Sequence, residues 1–291
     1  MSRLNINEDL CKKDGACVEV CPQRIFVQKE KDTFPHALNE EFCIACGHCV
    51  AICPHGALSH VDFPEGKVIA VRKEILPSYE QVLEMARSRR SRRAFKDKPV
   101  ERNLIEKVIE AARFAPSAEN VQSTKYIVVQ DKVVMGKIVE FTTDYLEKIV
   151  KQLKNPLIRR FIRVAAGREF EAAIESIAIF ERTISEVRSG NDVILCGAPV
   201  LLLFYGDMAA TFTSVNANLA LQNASFAAES LGLGNFYSGF VVATCARDLR
   251  IQSLLEIPKT HKIYSGLVLG HPMYNYKNWV ERRPANITWY E

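Results

Sequence analysis

The sequence has no long hydrophobic run. Its longest apolar stretch, "APVLLLFY" at 198–205, is far shorter than the about 20 residues of a membrane-spanning helix. The first ten residues, "MSRLNINEDL", lack the apolar centre of a secretory signal, so we expect a cytoplasmic protein. The net charge of +4 is too small to indicate nucleic acid or a membrane surface as a partner.

Cysteine is scarce in most of the chain. Of nine cysteines, seven fall within the first 53 residues, and only Cys196 and Cys245 lie beyond them. Because nothing indicates export, the seven predict metal or redox chemistry rather than disulfides, and the two isolated ones are expected in the core. A helix start signal, "ILPSYE" at 75–80, marks a boundary. We therefore expect two domains, at 1–70 and 78–291.

Two cysteine runs follow the iron–sulfur pattern C-x2-C-x2-C-x3-C-P. The run "CIACGHCVAICP" at 43–54 fits at every position, whereas "CKKDGACVEVCP" at 11–22 has aspartate at position 14. In two-cluster ferredoxins the fourth cysteine of each run ligates the other run's cluster. One predicted cluster is a [4Fe-4S] cluster on Cys21, Cys43, Cys46 and Cys49. The other is a [4Fe-4S] or [3Fe-4S] cluster on Cys11, Asp14, Cys17 and Cys53.

Structural zinc and disulfides are the alternatives for these runs. Zinc held by two C-x-x-C pairs leaves Cys53 and Pro54 without a role. A carboxylate binds iron more weakly than a thiolate does, so Asp14 predicts either a labile fourth iron or a three-iron cluster. With both runs in place, residues 1–66 resemble a bacterial-type two-cluster ferredoxin domain.

The rest of the chain carries four further motifs in order. The run "RSRRSRRAFKDKPV" at 87–100 places Arg, Ser and Arg at alternating positions, which suits one phosphate group but alone also fits a solvated basic face. A polar loop at 111–130 follows. Next comes a helix rich in small residues within 213–240, and last an arginine in "RRPANIT" at 282–288.

This ordered series, over about residues 78–291, resembles the FMN-dependent nitroreductase family. The resemblance implies an α+β fold in which a central, mostly antiparallel sheet is flanked by helices and follows the ferredoxin-like domain. It implies an FMN phosphate site on Arg89, Arg90, Ser91, Arg93 and Arg282. It also implies that the isoalloxazine and ribityl groups lie at Pro116, Ser117, Asn120, Gln122, Tyr237, Ser238 and Gly239. The backbone N–H groups of Ser238 and Gly239 are expected to face flavin N5 and O4.

The two parts together predict an FMN-dependent oxidoreductase. Electrons are expected to run from an external ferredoxin, or another low-potential carrier, through both clusters to FMN. The acceptor is expected to be a small molecule such as a nitro compound, a quinone or an activated alkene. The resemblance implies a homodimer with FMN at its interface, and the low-potential clusters suggest an anaerobic setting. No side chain is assigned as a proton donor.

Two other functions stay open. In the first, NAD(P)H reduces the flavin and the clusters export electrons. The missing G-x-G-x-x-G motif, the usual mark of a Rossmann dinucleotide fold, rules out that fold but does not exclude NAD(P)H as the donor. In the second, the cluster at Asp14 is a redox or iron sensor.

The segment 142–190 is helical by periodicity and broken near Asn155–Pro156. It is longer than a plain connection, so we expect it to cover the active site, although an ordinary pair of scaffold helices is the alternative. A solvated face is expected for Arg159, Arg160, Arg163 and Arg168.

Overall fold

The computed structural model describes residues 2–64, 66–157, 171 and 174–291. The chain forms two compact units. The first unit is Met1–Pro77 together with Ala118–Val121, and the second is Ser78–Ser117 together with Gln122–Glu291.

The first unit consists of two short strand pairs and two short helices. The strands are β1 (Leu4–Ile6), β2 (Phe26–Val27), β3 (His36–Ala37) and β4 (Leu58–His60), and the helices are α1 (Ala16–Val20) and α2 (His48–Ile52). β1 pairs with β4 and β2 with β3, both antiparallel. Each helix follows a glycine in the left-handed region, Gly15 at φ 76° and Gly47 at φ 74°. The two cysteine runs therefore adopt the same local turn.

The second unit is built on a four-stranded antiparallel sheet in the order β5-β6-β8-β7. Its strands are β5 (Lys125–Val129), β6 (Val200–Asp207), β7 (Gly234–Tyr237) and β8 (His261–Gly270). Successive side chains of β6 enter opposite cores: Leu202 and Phe204 pack into one, Leu201 and Leu203 into the other. The sheet is therefore covered on both faces, which explains the uninterrupted apolar run of this strand.

Helices cover both faces of this sheet. One core includes residues of α4 (Arg102–Arg113) and α7 (Thr213–Ser230). The other includes residues of α5 (Lys132–Lys154), α8 (Gly239–Cys245) and α9 (Arg250–Leu254). Two more α-helices, α3 (Tyr79–Ser88) and α6 (Ile177–Arg188), belong to this unit. The predicted antiparallel sheet flanked by helices is confirmed.

Local signals in the sequence set several element ends. Ser78 caps α3 as predicted: its hydroxyl accepts from the Gln81 N–H (3.3 Å), and the Gln81 side chain accepts from the Ser78 N–H (2.8 Å). α7 ends before Gly232, which has φ 73°. Cys245 is buried in the core as expected, whereas Cys196 is only half-buried.

The segment 142–190 breaks where the sequence predicts. α5 ends at Lys154, and Asn155 is extended ahead of proline. Residues 158–170, 172 and 173 of this segment lie outside the described ranges, and its role as a cover over the active site stays a prediction. The predicted basic face at Arg159, Arg160, Arg163 and Arg168 lies entirely on those residues.

Candidate functional site

Two cavities in the first unit bring together the residues of the cysteine runs. The Cys11 cavity is lined by Cys11, Asp14, Cys17 and Cys53, among others. The Cys43 cavity is lined by Cys21, Cys43, Cys46 and Cys49, among others. Each set combines three residues of one run with the fourth cysteine of the other, and all of these cysteines are free. These are the two sets that the sequence predicts; their role as ligands stays a prediction.

Two buried thiols in these cavities, those of Cys17 and Cys49, are costly to ionise without a metal. Burial, with smaller contributions from the neighbouring thiols of Cys46, Cys21 and Cys43, raises the pKa of Cys49 to about 11. Burial also raises the pKa of Cys17, and Cys11 and Asp14 add to the effect. Cysteine binds metal as the thiolate, and a cationic iron core stabilises the thiolate form of thiols that resist ionisation on their own. The donor sets therefore fit iron–sulfur clusters.

A tetrahedral zinc site holds four donors at about 2.0–2.3 Å from one ion. The cysteines of the two runs line two separate cavities, four of them in the Cys43 cavity and three, together with Asp14, in the Cys11 cavity. This is the division that the two-cluster pattern predicts.

One backbone N–H group donates to a cysteine sulfur in each of the two cavities, with the same spacing in sequence. The N–H of Ile25 donates to Cys21 Sγ, and that of Ala57 donates to Cys53 Sγ, each over 3.4 Å and each four residues after its cysteine. The Asp14 Oδ1 atom accepts from the Ala16 N–H at 3.1 Å. One oxygen of this carboxylate is thus fixed at the start of α1 beside the Cys11 cavity.

The second unit contains an open cleft of about 560 Å³ with a strongly positive lining. This cationic cleft is lined by Arg89, Arg90, Ser91, Arg93, Tyr276, Asn278, Val280 and Arg282. Ser91 bridges to Asn235 of β7, and the Arg92 N–H donates to Asn235 O at 3.0 Å. Arg92 is not among the lining residues and pairs with Glu229 at 2.7 Å. Residues 89, 91 and 93 therefore line one space, and Arg90 lines it as well. Their contact with a phosphate stays a prediction.

The positive charges of the cleft are not neutralised by ion pairs among the described residues. Burial lowers the pKa of Arg89; Glu229 opposes the change, and repulsion from Arg282 and Arg90 adds to it. Among the described residues, no carboxylate forms an ion pair with Arg89, Arg90, Arg93 or Arg282. A phosphate group relieves this repulsion and accepts bidentate hydrogen bonds from guanidinium groups. The residues present therefore fit the phosphate of FMN.

The expected flavin loop is divided between two places. Pro116, Ser117 and Gln122 line a small cavity of about 90 Å³ together with Tyr126 and Asn216. The Ser117 hydroxyl accepts from the Gln122 N–H at 3.0 Å, which closes the loop on itself.

Asn120 belongs to the first unit instead. Its side-chain nitrogen donates to Ala45 O at 2.7 Å and to Ile44 O at 3.3 Å. These two residues lie between Cys43 and Cys46 in sequence. Asn120 therefore contacts the backbone of a cysteine loop, and its assignment to the flavin stays a prediction.

The "YSGF" segment joins β7 to α8 and differs from expectation at one atom. The Ser238 N–H donates to Gly266 O at 2.8 Å, so the prediction that this N–H faces the flavin is wrong. Its hydroxyl is buried and has no hydrogen-bond partner among the described residues, which a polar group from outside the chain can supply. Tyr237 and Gly239 flank it, and none of the three is among the residues lining the cationic cleft or the cavity at Ser117 and Gln122.

Family comparisons agree with this geometry. The model described as "Nitroreductase family" matches residues 86–271. The chain belongs to the nitroreductase family. A second model, "4Fe-4S dicluster domain", matches residues 3–54, so the chain is a fusion of these two domains. This confirms the predicted family fusion.

Similar proteins are found in bacteria and archaea. The FMN reductase [NAD(P)H] of Bacillus subtilis is 32% identical over 192 residues, 66% of this chain and 66% of that protein. The chain thus spans just under two thirds of that relative's length. A putative NADH dehydrogenase/NAD(P)H nitroreductase of Archaeoglobus fulgidus is 26% identical over 193 residues, 66% of this chain and 86% of that protein.

A solved structure shows the same fold. A nitroreductase with bound FMN from Desulfitobacterium hafniense superposes with a TM-score of 0.54 at 22% identity, covering 72% of this chain and 97% of that one. This confirms the predicted nitroreductase α+β fold. In the described ranges no helix is both long and apolar enough to cross a membrane.

Proposed function

We propose that the chain is an iron–sulfur flavoprotein oxidoreductase. Electrons from a low-potential donor pass through two clusters to FMN and reduce a small-molecule acceptor such as a nitro compound, a quinone or an activated alkene. One observation carries the proposal: a single chain combines two cysteine-lined cavities with a cationic cleft that fits a phosphate group. Joining the two in one chain removes the need for a diffusional encounter between carrier and flavin.

The chain's own residues bind and orient FMN. Arg89, Arg93 and Arg282 hold the phosphate, with the Ser91 hydroxyl and Arg90 beside them. Bound FMN supplies the chemistry, since it accepts electrons singly and delivers two as a hydride. No side chain is given the role of proton donor.

Anaerobic reduction of the purified protein tests the proposal. Flavin, iron and acid-labile sulfide are measured first; then one sample receives a reduced ferredoxin and another NAD(P)H, with absorbance and low-temperature EPR recorded together. We expect FMN, iron for two clusters, and bleaching of the flavin by the reduced ferredoxin. A protein that lacks iron, or a flavin that stays oxidised beside reduced clusters, contradicts the proposal.

A second candidate function reverses the flow. The Bacillus subtilis relative is named an FMN reductase [NAD(P)H], which favours NAD(P)H as the donor and the clusters as the outlet. In the experiment above, NAD(P)H then bleaches the flavin first and cluster signals follow. Rapid flavin reduction by NAD(P)H selects this second function, and its absence rejects it.

We also propose a homodimer that completes the flavin site. Phe212, Val215 and Leu219, spaced three and four residues apart at the start of α7, are 61%, 52% and 40% exposed. The last 19 residues after Pro272 contain Trp289 and Tyr290, which are also exposed. Apolar stripes of this kind are typical of an interface between subunits. Sedimentation velocity of the FMN-loaded protein tests this: a monomer contradicts it.

A further inference from the structure

The two cysteine cavities differ in the hydrogen bonds that reach their sulfur atoms. Cys21 and Cys53 each accept one backbone N–H at 3.4 Å, so in this respect the cavities match. Cys43 has an additional neighbour, since the Nε2 atom of His60 lies 3.4 Å from its Sγ. In the described part of the chain, no side chain donates to a cysteine of the Cys11 cavity.

Neighbouring contacts fix which ring nitrogen of His60 carries the proton. The backbone N–H of Asp62 donates to Nδ1 at 3.0 Å, and because a backbone N–H can only donate, Nδ1 is the acceptor. The Asp62 carboxylate lies 3.6 Å from Nδ1, beyond hydrogen-bond distance, and pairs with Arg3 at 2.7 Å. The proton of the neutral ring therefore sits on Nε2 and is directed at Cys43.

The imidazole is held rigidly in this position. His60 is 4% exposed and ends β4, where it pairs with Leu4 of β1. Its ring packs against Phe63, with the ring centroids 5.2 Å apart. The same region is tied to the cysteine loop a second time, because Arg3 donates to Cys43 O at 3.1 Å. A donor that is fixed before the sulfur gains charge needs no reorganisation.

The internal repeat supplies a natural comparison. His60 lies seven residues after Cys53, and Gln28 lies seven residues after Cys21. Gln28 donates to three backbone carbonyls, those of Lys13, Lys31 and Thr33, at 3.0, 3.1 and 2.9 Å. The equivalent residue of the other half therefore stabilises a loop, whereas His60 reaches a sulfur atom.

We infer that His60 donates a hydrogen bond to the Cys43 thiolate and raises the reduction potential of the cluster on Cys21, Cys43, Cys46 and Cys49. This rests on the cluster assignment of the proposed function. Reduction adds negative charge that spreads onto the sulfur ligands, so a donor at Sγ stabilises the reduced state more than the oxidised one. His60 is thus a positioning residue that makes the two clusters of one chain unequal.

The test is an EPR-monitored redox titration of the full-length protein with its clusters and flavin. His60→Leu removes the donor, His60→Gln keeps an N–H donor, and His36→Gln changes an exposed histidine of β3 as the control. We expect His60→Leu to make reduction of one cluster about tenfold less favourable, about 59 mV for one electron. We expect an intermediate midpoint potential for this cluster in His60→Gln. The midpoint potential of the other cluster, and both potentials in the control variant, should be unchanged. An unchanged midpoint, or an equal shift of both clusters, overturns the inference.

A second measurement needs no destabilising variant. Electron–nuclear double resonance of the reduced wild-type protein, with nitrogen-15-labelled histidine, reports a histidine nitrogen near a cluster. We expect a coupling that disappears in His60→Gln; absence of any histidine coupling in the wild type overturns the inference even if His60→Leu fails to assemble. Wild-type protein without iron and sulfide overturns the proposed function itself, whereas intact clusters without the coupling overturn only the role of His60.

Discussion

Arg282→Ala is the substitution that most sharply tests the cationic cleft. Arg282 lines the cleft with Arg89, Arg90 and Arg93, although about 190 residues separate it from them in sequence. A hydrogen bond to a charged group contributes about 1.5–3 kcal/mol, and we take the lower end because the cleft is open to solvent. Since about 1.4 kcal/mol corresponds to a tenfold change in affinity, we expect FMN to bind about tenfold more weakly.

The effect on the FMN-free protein should have the opposite sign or be absent. Repulsion from Arg282 helps to lower the pKa of Arg89, so removing Arg282 relieves like-charge repulsion in the empty cleft. Titration of the apoprotein by quenching of flavin fluorescence gives the affinity, and melting curves with and without FMN give the two stabilities. The matched control is Arg102→Ala, whose side chain is 90% exposed and pairs with Glu106. Equal FMN affinity in wild type and Arg282→Ala, or an equal loss in Arg102→Ala, refutes the phosphate assignment.

Three further predictions concern other parts of the chain. Asp14→Cys should convert a three-iron or labile cluster into a stable four-iron cluster, so the EPR signal of the oxidised protein changes while turnover persists. If neither the wild type nor the variant turns over, and the variant loses the response to redox or iron status, the cluster is a sensor instead. Leu219→Glu should place a charge in the proposed subunit interface, and sedimentation velocity should show monomers with weakened FMN binding; a stable dimer contradicts this. Ser78→Ala removes the cap that accepts from Gln81 and should lower the free energy of unfolding of the second unit by about 1 kcal/mol, measured by urea denaturation; an unchanged midpoint rejects the capping role.

The cluster-binding half could be predicted closely from the sequence because ligand spacing is a local property. Three of the predicted ligands of each set lie within one short run, so the turn at Gly15 or Gly47 is enough to bring them to one cavity. His60 could not be predicted in this way. Its approach to Cys43 depends on the pairing of β4 with β1, which only the folded chain provides. The seven-residue offset shared with Gln28 was the one signal in the sequence.

The motifs of the flavin domain could be predicted from the sequence, whereas the hydrogen-bond partners of individual atoms could not. Alternation predicted that Arg89, Ser91 and Arg93 face one space, because an extended chain has a period of two. The Ser238 N–H donates to the carbonyl of Gly266 in another strand, and no local pattern in the sequence reveals this hydrogen bond. Asn120 lies in a turn made by two successive left-handed residues, Glu119 at φ 52° and Asn120 at φ 54°, and this turn has no periodic signature.

The central claim, that clusters and flavin exchange electrons within one chain, is tested most directly by rapid mixing. Anaerobic holoprotein is mixed with less than one equivalent of reduced ferredoxin, and flavin absorbance is followed at several protein concentrations. The proposed function predicts flavin bleaching with a first-order rate that does not depend on protein concentration, after the clusters have been reduced. A rate proportional to protein concentration, or a flavin that remains oxidised while the clusters stay reduced, contradicts it.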